Sequence, residues 1–499
     1  MAEYLHGVYG ESQSSNYTSA TAIGTLPVYI GTLPIQRLNT KKAKGFDYSA
    51  YVNKPILLES YKDVASLGIY SDDWETYTLE EAIHAHFMNG DSVGPVVLIN
   101  MLNPKTHINN SQTSSVITLS KEGKSYVGYV EDPLCCIDDI AITGESVTFN
   151  EGEVEYKYDG DTIKIIITKN DLSVDSVTVA YKPIKFTTTD ITEEDFTNAV
   201  NSVEDVEPVT GLLPTILTAP KFSSKPEHHD IMIQKAIEKA GRKWNIICVT
   251  DIPATKSVET YQKAIEWKKT NQYNSKLEKV CWLSGGNGDK IYCGSTLWTF
   301  AMQMTDFNNG GTPHKSPSNE MINIDRTVLE DGTVIFLKEY QANEMNKVGI
   351  STFNLVKRQF RTWGAHMGNY DFSKLDLSVL NSIKPEDRFD AQIRMNHYIL
   401  NYLQYHYISE IDQSFKKSDI DSIVNSVQAW LDGLVNEGKL LYAKVNFDTA
   451  SNPIEQIENG DLIFDFEVTY AITAKSITFR LQYTRAGIVA LLEGGESNE

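Results

Sequence analysis

Two consecutive segments near the C-terminus constrain the fold more than any other part of the chain. Across 462–473, Leu462, Phe464, Phe466, Val468, Tyr470 and Ile472 alternate with Asp465, Glu467 and Thr469. Across 476–484, Ile477, Phe479, Leu481 and Tyr483 alternate with Thr478, Arg480 and Gln482. A side-chain period of two marks a strand with one buried face, so the pair predicts an antiparallel hairpin with helices over one side. Candidate helices precede it. One runs over 389–408 with apolar residues at 389, 393, 400, 403 and 407; another, capped by Ser418 and Asp421, carries Ile420, Ile423, Val424, Val427, Leu431 and Leu434 at helical spacing and ends near Gly438. A strand over 440–447 follows. After the hairpin, Arg485–Ala486–Gly487 breaks the alternation, and Ile488, Val489, Ala490, Leu491 and Leu492 form an unbroken apolar run. So short a terminal strand cannot fold alone; it must pack on its own domain or on another copy's.

The remaining chain is long enough for two to four folded units: 499 residues, 41% of them hydrophobic. Residues 1–25 read as an extended arm, rich in Ser and Thr from Glu11 to Thr25, whose threonines suit a strand if a partner sheet is present. From Leu26 the pattern is α/β. Strands are expected at Val28–Ile30, Ile56–Leu58 and 96–102. A helix opens at Ser60 and stops at Gly68, and a second opens with a capping box of Thr78 and Glu81, bears Leu79, Ala82, Ile83 and Phe87, and ends at Gly90. Between 107 and 188 the texture becomes short β runs separated by turn formers, including 117–119, 126–130, 147–149, 154–158, 163–168 and 177–181, which predicts an inserted β-sandwich or barrel. Over 189–345 the α/β pattern resumes. The expected organisation is thus α+β and multidomain: an arm (1–25), a split α/β outer domain (26–106 and 189–345), an inserted all-β domain (107–188), a C-terminal α+β domain of helices on an antiparallel sheet (346–484), and a C-terminal arm (485–499).

Charge narrows the function. With 66 acidic against 45 basic residues the formal charge is −21, and Lys41, Lys42 and Lys44 are only a small cluster, which argues against direct nucleic-acid binding and against adhesion to anionic membranes. No apolar stretch approaches the ~20 residues of a membrane span, and residues 1–10 lack the features of a secretory signal. Five cysteines in no disulfide-like spacing (135, 136, 248, 281 and 293) are read as reduced.

No constellation specifies chemistry. Gly285–Gly286–Asn287–Gly288–Asp289–Lys290 looks like a phosphate loop, yet lacks the Walker spacing and the Ser/Thr after Lys, and reads as a tight turn. His84 and His86, two apart on a helix, diverge too far to share a metal. His228, His229 and Asp230 follow Pro226 at a helix start, where Asp230 suits the helix dipole. The expectation is no catalytic, cofactor or metal residues.

In order and character, several short motifs resemble the contractile tail sheath family of phage tails, R-type bacteriocins and related injection systems. They are Gly24–Thr25–Leu26–Pro27–Val28–Tyr29–Ile30–Gly31–Thr32, Asn53–Lys54–Pro55–Ile56–Leu57, the helix ending Phe87–Met88–Asn89–Gly90 with the following Gly94–Pro95–Val96–Val97–Leu98–Ile99–Asn100, Asn346–Lys347–Val348–Gly349–Ile350, and Trp363–Gly364. The resemblance covers roughly 20–105 and 340–490. One departure is that Ala365 and His366 follow Trp363–Gly364, where the family often carries an Arg-rich element.

The resemblance implies a structural subunit that polymerises helically, in stacked hexameric rings, around an inner tail tube protein. It implies baseplate and tail terminator proteins as further partners, assembly in a bacterial host cytoplasm, and a final place in a virion tail or released particle. It implies a mesh of exchanged strands. The N-terminal donor would include Ser15, Tyr17, Thr18, Thr21 and Ile23, and the C-terminal donor Ile488, Val489, Ala490, Leu491 and Leu492. The acceptor sheet would be built on Phe464, Phe466, Val468, Ile477, Phe479 and Leu481, with Gly24 and Gly487 as hinges. The alternative reading is a cytoplasmic α/β enzyme with an inserted β domain and its chemistry in 190–330; a surface adhesin is a third, disfavoured by the absence of an export signal.

Overall fold

The strands that cross the middle of the protein are near-continuous apolar runs, as sheets covered on both faces require. In the computed structural model, which describes residues 24–38, 47–109, 111–131, 136–145, 147–150, 152–159, 162–170, 172–184, 190–240, 244–372 and 383–493, β1 (Pro27–Gly31) and β3 (Val96–Asn100) are buried at every residue. They belong to an eight-stranded sheet with β2 (Pro55–Leu58), β11 (Ile216–Thr218), β12 (Ile247–Asp251), β13 (Glu278–Cys281), β17 (Ile350–Val356) and β18 (Gln359–Trp363), in the order β18-β17-β13-β12-β11-β1-β3-β2. The inner strands are parallel, and β2 and β18 close the edges antiparallel. Successive residues of β1 feed opposite faces. Val28 and Ile30 join a core with α3 (Glu193–Asn201), α4 (Val206–Thr210) and α5 (Pro226–Lys239), while Tyr29 packs with α1 (Tyr61–Leu67) and α2 (Leu79–Phe87).

The helix α7 (Gly294–Asn308) is buried over most of its length, its polar Gln303 and Asp306 included, so it carries no amphipathic stripe. Two carboxylates borrowed from elsewhere cap it. The Cys293 N–H donates to Glu81 Oε1 at 2.6 Å, and the Ser295 N–H to Asp251 Oδ1 at 2.7 Å. Glu81 therefore does not form the expected capping box with Thr78, which makes no side-chain cap; its Oγ1 accepts instead from the Thr32 N–H at 3.2 Å. At α1 the reading holds: Asp63 accepts from the Ser60 N–H at 2.9 Å and Gly68 closes the helix at φ 70°.

Residues 107–188 contain two sheets: β4 (Thr113–Thr118), β10 (Ser176–Tyr181) and β7 (Ala141–Thr143) in one, and β5 (Ser120–Glu122), β6 (Ser125–Val130), β9 (Thr162–Ile167) and β8 (Val154–Asp159) in the other. Ile117, Ile163, Ile165, Ile167, Val177 and Val179 fill a core that takes side chains from both sheets, the sandwich alternative. The expected strand at 147–149 is not one; β7 takes its place in the sheet. The glycine-rich segment at 285–290 is the turn of a hairpin, β14 (Ser284–Asn287) to β15 (Lys290–Tyr292), backed by β16 (Arg326–Val328), with Gly288 at φ +61°. Two further helices, α6 (Tyr261–Thr270) and α8 (Glu339–Asn346), meet side chains of β13 and β17 in another core.

Just past the expected boundary at 346, β17 pairs in parallel with β13 and so belongs to the large sheet. The two short motifs around it meet physically. Asn346, with its amide turned to donate, reaches the carbonyls of Ile350 at 2.8 Å and Trp363 at 3.0 Å. Gly364 adopts φ +142°, and a Cβ there would lie 2.8 Å from the end of the Asn346 amide, so only glycine fits. Lys279, wholly buried, donates to the Gly364 carbonyl at 2.6 Å and pairs with Asp390 at 2.6 Å.

Glu80 on α2 is a buried acid with a measurable consequence. Its Oε1 accepts from the Ser71 N–H and hydroxyl, both at 2.7 Å, while Oε2 has no partner among the described residues. Burial pushes its pKa up to about 8 from 4.5. A raised carboxyl favours the fold while protonated, so its contribution is complete below about pH 4.5 and is lost as pH rises towards 8. Glu80→Gln should therefore match the parent's unfolding free energy at pH 4 and exceed it at pH 8, by on the order of a few kcal/mol at ~1.4 kcal/mol per pKa unit; equal stabilities at pH 8 in denaturant titrations would refute the assignment.

Candidate assembly surface at the C-terminal sheet

The long helix α9 (Asp390–His406) has two working faces. Asp390, Arg394 and Asn401, spaced by four and seven, lie along one side and bind the body: Asp390 pairs with Lys279, Arg394 with Asp306 of α7, and Asn401 accepts the Asn245 N–H at 2.6 Å. Met395 and Ile399 point the other way, into a core with Val427, Leu431 and Leu434 of α10 (Lys417–Asn436) and Leu440, Ala443 and Val445 of β19 (Leu440–Asn446). The start of α10 is two residues earlier than expected: Lys416, not Ser418, is the N-cap, and its N–H donates to Asp419 at 2.8 Å. Gly438 closes the turn into β19 at φ +73°.

β19 pairs antiparallel with β20 (Asp465–Tyr470), Ala443 opposite Val468 and Val445 opposite Phe466. Phe464, Phe466, Val468 and Tyr470 pack against the α9–α10 core, and burial pushes the Tyr470 hydroxyl up to about 12. The short α11 (Ile454–Glu458) lies between the strands in sequence.

The expected third strand is absent from this sheet. Residues 476–484 form no ladder, and Ile477, Phe479, Leu481 and Tyr483 are exposed, Phe479 at 92% and Leu481 at 101%. Of the six acceptor residues named from sequence, Phe466 and Val468 are thus on the sheet, Phe464 packs on the same core just before β20, and Ile477, Phe479 and Leu481 are off the sheet. The root of this segment is held at Lys475, whose ammonium lies 3.4 Å from the Tyr370 hydroxyl and within cation–π reach of Tyr370 and Phe372. Tyr370 is stacked at 3.5 Å on His366, whose pKa burial lowers to about 4, leaving a neutral ring beneath the lysine's aromatic seat.

The terminal apolar run is a helix, α12 (Ala486–Glu493), not a strand. Without a neighbouring strand, local i to i−4 bonds are the only backbone partners available to such a run, and Ala and Leu tolerate them. Ile488, Val489, Leu491 and Leu492 remain exposed on it, Ala490 lies among them, and Gly487 sits in its first turn, not at a break. At the other end, Ser15, Tyr17, Thr18, Thr21 and Ile23 lie outside the described residues. Gly24 is described, and Thr25 beside it is tethered: its carbonyl accepts from Gln303 at 3.0 Å and its hydroxyl bonds Asp306, the partner of Arg394.

Elsewhere the candidate groups are absorbed by packing. His229 is bonded to Glu278 at 2.7 Å and stacks on Tyr273, His228 stacks on Phe196, His86 meets the Tyr29 hydroxyl at 2.7 Å, and His84 meets that of Tyr292 at 2.8 Å. Among the described residues no three His, Cys, Asp or Glu side chains gather to hold a metal ion, and no helix is long and apolar enough to cross a membrane.

No protein-family model matches the chain. Individual relatives do. The chain is 22% identical over 525 aligned residues to the tail sheath protein of Burkholderia phage BcepMu, covering 99% of both, and 24% identical over 184 residues to the major tail sheath protein of Serratia phage KSP20, covering 36% of this chain and 43% of that one. Among solved structures it resembles a chain of the anti-feeding prophage baseplate (TM-score 0.56, 12% identity, 97% of this chain and 100% of that one). It also resembles a chain of an extracellular contractile injection system, the PVC sheath complex in its contracted state (TM-score 0.55, 14% identity, 97% and 98%). Over its whole length the chain is thus similar in sequence to a phage tail sheath protein and shares the fold of chains from two contractile assemblies, so the contractile tail sheath family is the one it resembles.

Proposed function

We propose that the protein is the repeating subunit of a contractile tail sheath, which polymerises around an inner tube and contracts to drive that tube through a cell envelope. The observation that carries this is the exposed alternating segment 476–484, which follows in sequence a two-stranded sheet whose β20 edge pairs with no further strand among the described residues. A folded subunit that keeps four large apolar side chains in water at strand spacing is built to lay them on another copy. Each would gain about 1.5–3 kcal/mol on full burial, against about 1–2 kcal/mol per residue of ordering, so one link is modest and a mesh of many is firm.

In this reading the C-terminal donor is 476–484, with α12 as an apolar terminus that packs after it, and the Ser- and Thr-rich arm around Ser15–Ile23 is a second donor. Lys475 and the tethered Thr25 fix where the arms leave, and Gly24 is the N-terminal pivot. Contraction is then a change between two packings of one connected mesh. The tube faces the C-terminal helices, baseplate and terminator proteins cap the polymer's ends, and assembly precedes incorporation into a virion tail or released particle. Relatives named as sheath proteins and solved structures of a baseplate and a contracted sheath support this placement. Nothing observed favours the enzyme reading.

Negative-stain microscopy of the purified chain should show striated cylinders or stacked rings, and deletion of 476–499 should leave only monomers of unchanged fold. Wild-type protein that stays monomeric at high concentration, or a deletion variant that assembles normally, would count against the proposal.

A further inference from the structure

One edge of the C-terminal sheet is already occupied by a side chain. In the β19–β20 ladder, Ala443 opposes Val468 and Val445 opposes Phe466. On the side of β19 away from β20, two backbone groups bond to Gln428 of α10: the Val445 N–H donates to Gln428 Oε1 at 3.0 Å, and Gln428 Nε2 donates to the Ala443 carbonyl at 3.2 Å. The glutamine amide thus makes the pair of bonds that an incoming peptide group would make. Asp432, one turn on, holds the amide from behind by accepting from Nε2 at 2.8 Å. The outer edge of β20 pairs with no strand among the described residues.

Charge points the same way. A strand that lays Ile477, Phe479 and Leu481 against the helices turns Thr478, Arg480 and Gln482 outward. The outward side chain in the middle of β20 is the exposed Glu467, and its cross-strand neighbour on β19 is the exposed Lys444. Beside β20, Arg480 meets an opposite charge; beside β19 it meets a like one.

Resting on the sheath reading above, we propose that Gln428 closes the β19 edge and so makes β20 the edge that accepts residues 476–484 of a second copy. The guard decides which side of the sheet is extended, and hence which neighbour each subunit is joined to.

Disulfide trapping in assembled polymer tests this directly, because a disulfide needs Cα atoms within about 7 Å, adjacent strands lie about 4.8 Å apart, and a strand one further away is out of reach. Cysteine is placed at 478, 480 or 482 to cover the register, combined with either Glu467→Cys or Thr469→Cys on β20, or with Lys444→Cys on β19. The expected result is covalent ladders for the β20 pairs and none for the β19 pairs. Adding Gln428→Ala to the β19 pairs should raise their cross-linking by about tenfold, the size expected for one or two lost hydrogen bonds. Ladders through Lys444→Cys with Gln428 intact, or no β20 ladder in polymer seen by microscopy, would overturn the proposal. A parent chain that forms no polymer at all fails the sheath reading instead, and the microscopy of the same sample distinguishes the two.

Discussion

Replacing Phe479 and Leu481 together by Asp is expected to raise the concentration needed for polymerisation by about a thousandfold or more and to leave the melting temperature of the subunit unchanged. The two halves of that result have separate causes. In the free subunit both side chains are in water, 92% and 101% exposed, so removing them costs no intramolecular packing. In a received strand each would contribute about 1.5–3 kcal/mol, and a carboxylate in its place would be buried without a partner. A loss of about 4 kcal/mol per link is a thousandfold in affinity, and it recurs at every contact in a mesh. Sedimentation measures the first half and differential scanning fluorimetry the second. Undiminished assembly would show that the segment is not the donated strand. A fall in melting temperature matching the loss of assembly would show that it packs within its own copy.

That prediction could not have been framed from the alternation alone, because alternation reports which face of a strand will be buried and is silent about whose sheet buries it. The same pattern in 462–470 is satisfied within the subunit by β19, while 476–484 finds no edge among the described residues. Periodicity also failed where burial is uniform. The helix α7 is buried on every face until its last turn, so its sequence, GSTLWTFAMQMTDFN, carries no polar stripe to reveal its period. By contrast α1 and α9 sit at boundaries between core and solvent or core and ion pair, and each is readable to within a residue or two.

Capping residues were legible as local partners and misled when the partner was distant. Thr78 and Glu81 have the spacing of a reciprocal cap, yet Glu81 spans to the start of α7 because a buried helix N-terminus needs an acceptor more than an accessible one does. Gln428 left no signal at all. A glutamine on a helix is ordinary, and only the fold brings it to the edge of β19. The family motifs were legible as motifs, but their cause is three-dimensional: Asn346, Trp363 and Gly364 matter together because one amide bridges two carbonyls beside a glycine no other residue can replace.

The largest expected loss of stability is at the joint that those motifs support. Lys279 and Asp390 are both 0% exposed, with the ammonium also 2.6 Å from the Gly364 carbonyl and 4.4 Å from the centre of the Trp298 ring. Asp390→Ala would strand a buried ammonium and Lys279→Met a buried carboxylate, and each is expected to cost about 3–5 kcal/mol. The double variant Lys279→Met with Asp390→Leu removes both charges together and should recover most of that loss, because a pair of apolar side chains carries no desolvation penalty. The consequence reaches assembly because the pair is the first of the bonds that tie α9 to the body, and α9 carries the C-terminal sheet on its other face. Single variants should therefore expose the 364–390 region to limited proteolysis before the sandwich at 107–188 is cut. If the double variant is as unstable as either single one, the joint is held by packing around Trp298 and the charges are incidental; if it recovers stability yet polymerises poorly, the pair's geometry sets the angle at which each subunit presents its sheet.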